Sequence, residues 1–216
     1  MNGSVVVVDY GIGNVFSVCN ALKQVGAEPQ LTRDIPTILA ADRVVLPGVG
    51  AFGRAMDAIK AYHLDETLAK YVETGRPFLG ICIGMQVLME TSLEFGAHKG
   101  LGMIPGKVER IPNTSTDGET VRVPHISWAQ VGPVPARSQA EWAQTPLADP
   151  AGLLDFYFVH SYHCQPSNPD YILAEAEFHG NAITAAVRRD NILGVQFHPE
   201  RSGPAGLAVL QRYVAD

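Results

Sequence analysis

The sequence predicts an α/β fold: an open, mainly parallel sheet flanked by helices, with an antiparallel extension. Three observations carry this. Short β-branched runs alternate with apolar residues at helical spacing over the first hundred positions. Beyond about Gly100 the pattern changes to strands and turns. The 216 residues, 46% of them hydrophobic, suffice for one sizeable core, so a single domain over residues 1–216 is expected.

The elements follow in order. Val5–Val8 is four valines in a row, as in a strand covered on both faces. A loop spans Asp9 to Asn14. Val15, Val18, Leu22 and Val25 then repeat at helical spacing, with Gly26 as a stop. Arg43–Leu46 is a second strand, broken by Pro47-Gly48. Helical stretches are predicted over Ala51–Ala61 and Leu64–Thr74, the latter stopped by Gly75. Pro77–Ile81 is a third strand and Gly84–Glu90 a following helix. Strand-loop-helix order of this kind implies parallel strands joined by crossovers. Lys107–Val131 looks like hairpin-forming strands around the polar turn Asn113–Glu119, which contains Asp117-Gly118. Pro133–Pro150, rich in Pro, Ala and Gln, reads as a loop or insert. Strands return at Phe156–Val159, Ile172–Glu177, Ala182–Val187 and Ile192–Gln196, and Leu207–Val214 is a closing helix.

Composition narrows the function. Lys+Arg number 16 and Asp+Glu 22, a net charge of −6, and no basic run occurs. Neither nucleic acid nor an anionic membrane is expected as a partner. No segment approaches the roughly 20 apolar residues of a membrane span, and the start of the chain lacks the basic region of a secretion signal. Cys19, Cys82 and Cys164 are three scattered cysteines without a CxxC pair. That argues against a disulfide framework or structural metal site and fits a reducing cytoplasm. No cofactor or metal is expected.

Three motifs carry chemistry. Gly80-Ile81-Cys82-Ile83-Gly84 sits where a strand meets a helix. A nucleophile at such an elbow occupies a strained turn, and flanking glycines relieve the crowding. The turn presents the thiol at the C-terminal sheet edge, where open α/β sheets bind ligands. A helix starting there favours the thiolate, and the Ile83 amide is placed for an oxyanion. Gly194-Val195-Gln196-Phe197-His198-Pro199-Glu200 ends a strand with a base and a carboxylate two residues apart. Histidine takes the thiol proton and returns it to a leaving amine, and the carboxylate selects its tautomer. Pro47-Gly48-Val49-Gly50-Ala51-Phe52-Gly53 is a glycine-rich strand-to-helix loop able to aim amides at a ligand. It lacks the lysine of a nucleotide phosphate loop. Taken singly, the plainer readings are a buried core cysteine, a solvated turn and a tight βα turn.

Together these motifs resemble the class I glutamine amidotransferases. Pro47 to Gly53 and Phe158-Val159-His160-Ser161-Tyr162 narrow the resemblance to the branch of glutaminase subunits of imidazole glycerol phosphate synthases, and Asp9 to Asn14 and Val123-Pro124-His125 are further marks of it. The resemblance spans nearly the whole chain. It implies that Cys82 attacks the side-chain amide of glutamine, with His198 as base and acid and Glu200 as orienter. Ile83 and the backbone of Val49 and Gly50 form the oxyanion site, after a peptide rotation that the glycines beside Val49 ease. Gly50, Gln86, Glu94, His160, Ser161 and Tyr162 hold the glutamine. Without the resemblance His160 reads as a core histidine and Glu94 as a solvated helix end. In that branch ammonia passes to a (β/α)8-barrel synthase subunit of histidine biosynthesis, and Asn14, Trp128, Tyr162 and Arg201 fall in segments that border it. A buried core position is the alternative for Trp128. Ser127 and Ala129 stand where that branch has glycine and asparagine, and Arg201 where it has lysine. These departures motivate one alternative, a paralogous glutaminase subunit serving another synthase.

Overall fold

The computed structural model describes residues 3–134, 139–148 and 154–215. Its first elements are β1 (Val5–Val8), α1 (Val15–Gln24), β2 (Pro29–Thr32), α2 (Ile35–Ala40), β3 (Arg43–Leu46), α3 (Phe52–Ala61), α4 (Leu64–Glu73), β4 (Phe78–Ile81) and α5 (Ile83–Gln86). Then come β5 (Met89–Ser92), β6 (His98–Lys99), β7 (Ile104–Arg110), β8 (His125–Pro133), α6 (Gln139–Ala143), β9 (Asp155–His160) and β10 (Tyr162–Pro166). The chain closes with β11 (Ile172–Phe178), β12 (Asn181–Arg189), β13 (Ile192–Val195) and α7 (Gly203–Ala215). Among the described residues no helix is long and apolar enough to cross a membrane.

The larger sheet has the order β2-β1-β3-β4-β13-β12-β11-β8-β9. Its β2, β1, β3, β4 and β13 part is parallel, and β12, β11, β8 and β9 extend it antiparallel. The four valines of β1 and all of β4 are buried, because helices cover the parallel part. A smaller sheet, β10-β7-β5-β6, lies beside it. Helix α1 buries Val18, Cys19, Ala21 and Leu22 on one stripe, the spacing that identified it.

Several expectations need correction. The strand β2 and helix α2 were not anticipated. β2 contains Pro29, is an edge strand and is at most half-buried, so it lacks the apolar run that marks β1. The helix expected over Gly84–Glu90 is a single turn, α5. Val87, Leu88 and Met89 are all fully buried, which one helix stripe cannot achieve, and the chain passes into β5 instead. Strands β7 and β8 exist within Lys107–Val131 but do not form a hairpin with each other. β7 pairs with β10 and β5, and β8 with β9 and β11. The polar turn does close on itself, through the Thr114–Thr120 bridge and a 2.8 Å bond from the Val121 amide to the Asn113 carbonyl. Within Pro133–Pro150, residues 135–138 and 149–150 lie outside the described residues. The rest includes α6, whose Trp142 is buried.

Register places the site. Ile81 at the end of β4 lies beside Val195 at the end of β13, so residues 114 positions apart in sequence continue into the same edge. The turn after β4 is crowded by close backbone approach. A Cβ on Gly84 would be driven into the Leu46 carbonyl, and one on Gly80 would lie 2.6 Å from the Gly84 carbonyl oxygen. Overpacking of backbone has no flexible side chain to relieve it. Gly84→Ala is therefore expected to lower stability by about 1–3 kcal/mol, or to prevent folding. Urea unfolding tests this, and an unchanged midpoint would show that the approach is not obligatory.

Candidate active site

Cys82 follows β4 directly and adopts φ 54°, ψ −111°, an unfavourable conformation for a residue with a side chain. It is over-determined by neighbours. The Cys82 amide donates to the Val195 carbonyl at 2.8 Å, and the Cys82 carbonyl accepts from the Met85 and Gln86 amides at 3.0 and 3.1 Å. Ile83 is the first residue of a one-turn helix, so its amide has no partner inside that helix. Because α5 is one turn, its contribution to charge at Cys82 is that of local amides, not of a long helix dipole.

His198 and Glu200 are both nearly inaccessible, and His198 Nδ1 is 2.9 Å from Glu200 Oε1. Pro199 opens a short 3₁₀ turn that turns both side chains to one side. The turn is anchored from below: the Ser202 hydroxyl donates to the His198 carbonyl at 2.6 Å and accepts from the Tyr157 amide at 3.0 Å. The His198 amide donates to the Tyr157 carbonyl at 3.0 Å. Nε2 of His198 has no hydrogen-bond partner among the described residues and is free to act. Burial works against an imidazolium here, but the neighbouring Cys82 sulfur and the Glu200 carboxylate outweigh it and push the His198 pKa up to about 10. At neutral pH the proton therefore sits on His198.

One cavity of about 150 Å³ is lined by Val49, Gly50, Cys82, Ile83, Gln86, Glu94, Val159, His160, Ser161, Tyr162 and His198. Every residue expected at the nucleophile, at the oxyanion site or around a glutamine thus faces it, except Glu200, which stands behind His198. The two glycines flanking Val49 do different work. Gly50 has φ +93° with open space around it, whereas a Cβ on Gly48 would meet the Gly84 amide at 2.9 Å. Glu94 is no solvated helix end: it is buried, and its Oε2 accepts at 2.5 Å from the amide of Phe52, the first residue of α3, within the glycine-rich motif.

His160 is both a cavity residue and a packed one. Its Nδ1 lies 2.9 Å from the Tyr162 carbonyl and its Nε2 3.2 Å from His125 Nδ1. Both ring nitrogens of His160 are thus engaged inside the protein. Burial pushes its pKa down to about 3, against the opposing effect of the Tyr162 carbonyl; burial and the neighbouring His179 push His125 down to about 4. His125 stacks on Phe158 with centroids 5.0 Å apart and bonds Ser127 Oγ at 2.8 Å. Ser127 therefore has a definite partner. Sequence reading missed Gln196 and Ser202 as site-builders. Gln196 stood within the quoted motif, but only tertiary packing shows what its amide faces.

Asn14 is exposed at the start of α1, away from the cavity lining. Trp128 is 56% exposed, which excludes the core position. Its ring meets Tyr157 edge-on at 6.1 Å, and the Arg201 guanidinium lies 4.9 Å over the same Tyr157 ring. Arg201 follows Glu200 directly, so this stack adjoins the His198–Glu200 turn.

Comparison with known proteins bears on this geometry. The sequence pattern of the family described as glutamine amidotransferase class-I matches residues 6–215. The chain belongs to the class I glutamine amidotransferases. Within this family it is 40% identical over 211 residues to imidazole glycerol phosphate synthase subunit HisH 1 of Legionella pneumophila, covering 98% of both chains. It is 44% identical to subunit HisH of Methanothermobacter thermautotrophicus, covering 97% of both. Against subunit HisH of Synechococcus elongatus it is also 44% identical, over 97% of this chain and 92% of the relative. A crystal structure titled glutamine amidotransferase superposes with TM-score 0.70 at 20% identity, covering 99% and 100% of the two chains. The structure of PurLQS from Thermotoga maritima gives 0.69 at 19% identity, covering 100% and 98%. These two show the shared fold.

For a class I amidotransferase the chemistry this arrangement permits is acyl transfer through a thioester, with a buried acid–base pair beside the sulfur. Glu200→Gln keeps the shape but removes the charge that stabilises protonated His198. Glutamine turnover is expected to fall by on the order of 10²–10⁴. Stability also gains a signature. The raised pKa of His198 stabilises the fold fully below about pH 6.5, and this is lost as pH rises through about 10. Urea unfolding from pH 6 to pH 10 should show a shallower decline in Glu200→Gln, and an unchanged slope would exclude the pairing.

Proposed function

We propose that this chain hydrolyses glutamine to glutamate and ammonia with Cys82, His198 and Glu200, and delivers the ammonia to a (β/α)8-barrel synthase subunit. The products there are imidazole glycerol phosphate and an aminoimidazole carboxamide ribotide, as in the histidine branch that the HisH relatives represent. The single observation that supports the reading best is the cavity, where the nucleophile, the base and the residues suited to an amino-acid head group converge.

The steps follow from the positions. The Cys82 sulfur attacks the side-chain amide carbon, and charge develops on the carbonyl oxygen near the Ile83 amide and the Val49-Gly50 backbone. His198 gives its proton to the departing nitrogen, which leaves as ammonia. A thioester remains on Cys82. His198 then takes a proton from water, which attacks the thioester carbon, and glutamate departs. Glu200 keeps the imidazole ring in register throughout. Glu94 suits the substrate ammonium, while Ser161 and the backbone around Tyr162 suit its carboxylate.

The synthase face is assigned to the surface around Asn14, Trp128, Tyr162 and Arg201. Exposed Ile126, at 57%, and Trp128, stacked with Arg201 through Tyr157, have the aromatic and arginine character of interface anchors. The departures at Ser127 and Ala129 are absorbed locally: Ser127 bonds His125, and Ala129 packs against the core. The whole chain is read as one glutaminase domain. Its three unpaired, buried cysteines suit a reducing cytoplasm.

In a reconstituted complex with the barrel subunit, Cys82→Ala should abolish glutamine-dependent synthesis and leave ammonia-dependent synthesis intact. Retained use of glutamine would remove Cys82 from the chemistry. Binding only to a different synthase would move the assignment to another pathway.

A further inference from the structure

We propose that Gln196 is a further catalytic residue: its side-chain amide donates to the Cys82 sulfur, in an orientation dictated by Gln86 and the Tyr162 carbonyl. The proposal rests on Cys82 being the nucleophile. Gln196 directly follows β13 and is wholly buried, and its backbone amide is tied to the Ala185 carbonyl at 2.8 Å. Its side-chain nitrogen lies 3.6 Å from Cys82 Sγ.

The direction of that contact follows from its neighbours. A backbone carbonyl can only accept, so the Gln86 atom 2.9 Å from the Tyr162 carbonyl is Nε2. The same Nε2 lies 2.9 Å from the Gln196 side chain, whose facing atom must therefore be Oε1. That leaves Gln196 Nε2 toward the sulfur. Rotating the Gln196 amide by half a turn would set two NH₂ groups against each other and aim a carbonyl oxygen at Sγ. The Tyr162 carbonyl is itself held, since His160 Nδ1 donates to it at 2.9 Å. Neutral His160 then accepts at Nε2 from His125, which accepts in turn from the Ser127 hydroxyl. Every bond thus has one direction, from exposed Ser127 through the two histidines to the Tyr162 carbonyl, which also receives Gln86.

An N–H aimed at sulfur distinguishes its two protonation states. A neutral thiol is a weak acceptor, whereas a thiolate is a strong one. Gln196 therefore holds the sulfur anion that faces protonated His198, and no bond to Gln196 forms or breaks. A hydrogen bond to a charged group corresponds to a rate effect of about ten- to a hundredfold.

The test uses the full chain with Gln196→Met, which keeps volume but not the donor, and Gln196→Glu, which still accepts from Gln86. Iodoacetamide alkylation of Cys82, followed by mass spectrometry across pH, needs no glutamine. In Gln196→Met the rate at neutral pH should fall about ten- to a hundredfold, with the profile moved to higher pH. Gln196→Glu should fall further, because a carboxylate then faces the sulfur. A purely structural role predicts the reverse order, with Gln196→Glu resembling the unmodified chain, and that order overturns the proposal. So does coincidence of all three profiles. In the reconstituted complex kcat for glutamine should fall with the alkylation rate while KM changes little. An alkylation effect without any glutamine turnover would uphold Gln196 and reject the glutaminase reading. Should either variant fail to fold, the Gln196 side-chain NH₂ resonance of the unmodified protein decides: it must shift as Cys82 titrates, and an indifferent resonance overturns the proposal.

Discussion

The backbone contact between the turn after β4 and the end of β3 is the constraint on which the site depends. Gly84 passes against the Leu46 carbonyl with no room for a side chain, and Gly80 is pressed in turn against Gly84. That approach forces the single turn of α5 back over the strand and holds Cys82 at positive φ. A thiol in such a turn cannot sink into the core beneath it. It is presented instead at the sheet edge, where the parallel pairing of β4 with β13 supplies His198 and Gln196 from the other end of the chain. Gly48 joins the same contact, since a Cβ there would meet the Gly84 amide and Ile83 at 2.9 Å as well as the Tyr10 hydroxyl at 2.5 Å. Cys82 and the loop across the cavity from it are thus set by one steric arrangement.

Around that frame the histidines divide by environment. His198 is buried but faces sulfur and carboxylate, so charge is stabilised on it. His160 and His125 are buried among aromatic rings and one another, so burial dominates and they stay neutral. Neutral histidines have one donor and one acceptor each, which makes them directional links. The charged one is a proton source. The same residue type therefore supplies a proton-bearing group and a neutral scaffold within one cavity wall.

The parallel part of the fold was legible because its strands are covered on both faces. Val5–Val8 and Val44–Leu46 appear in the sequence as unbroken apolar runs, and glycines mark the helix ends. Edge elements were not legible. Pro29–Thr32 and Tyr162–Pro166 are strands held by neighbours distant in sequence, and their half-polar composition gives no local signal. The helix expected after Cys82 was shortened by burial of three consecutive residues, which no periodicity announces. In the site, Cys82, His198 and Glu200 were readable because their spacing and flanking glycines are local. Gln196 and Ser202 were not, because their roles depend on a sulfur 114 positions away and on the amide of Tyr157 across the sheet.

In the proposed reaction the elbow makes Cys82, alone of three buried cysteines, the nucleophile directed at a glutamine side chain. Treatment of the chain, in complex with its barrel subunit, with an electrophilic analogue of glutamine, followed by peptide mass mapping, tests this directly. One label per chain is expected, on Cys82, suppressed by excess glutamine, with Cys19 and Cys164 untouched. Labelling of Cys19 or Cys164 in preference, or labelling of Cys82 that glutamine does not suppress, would contradict it.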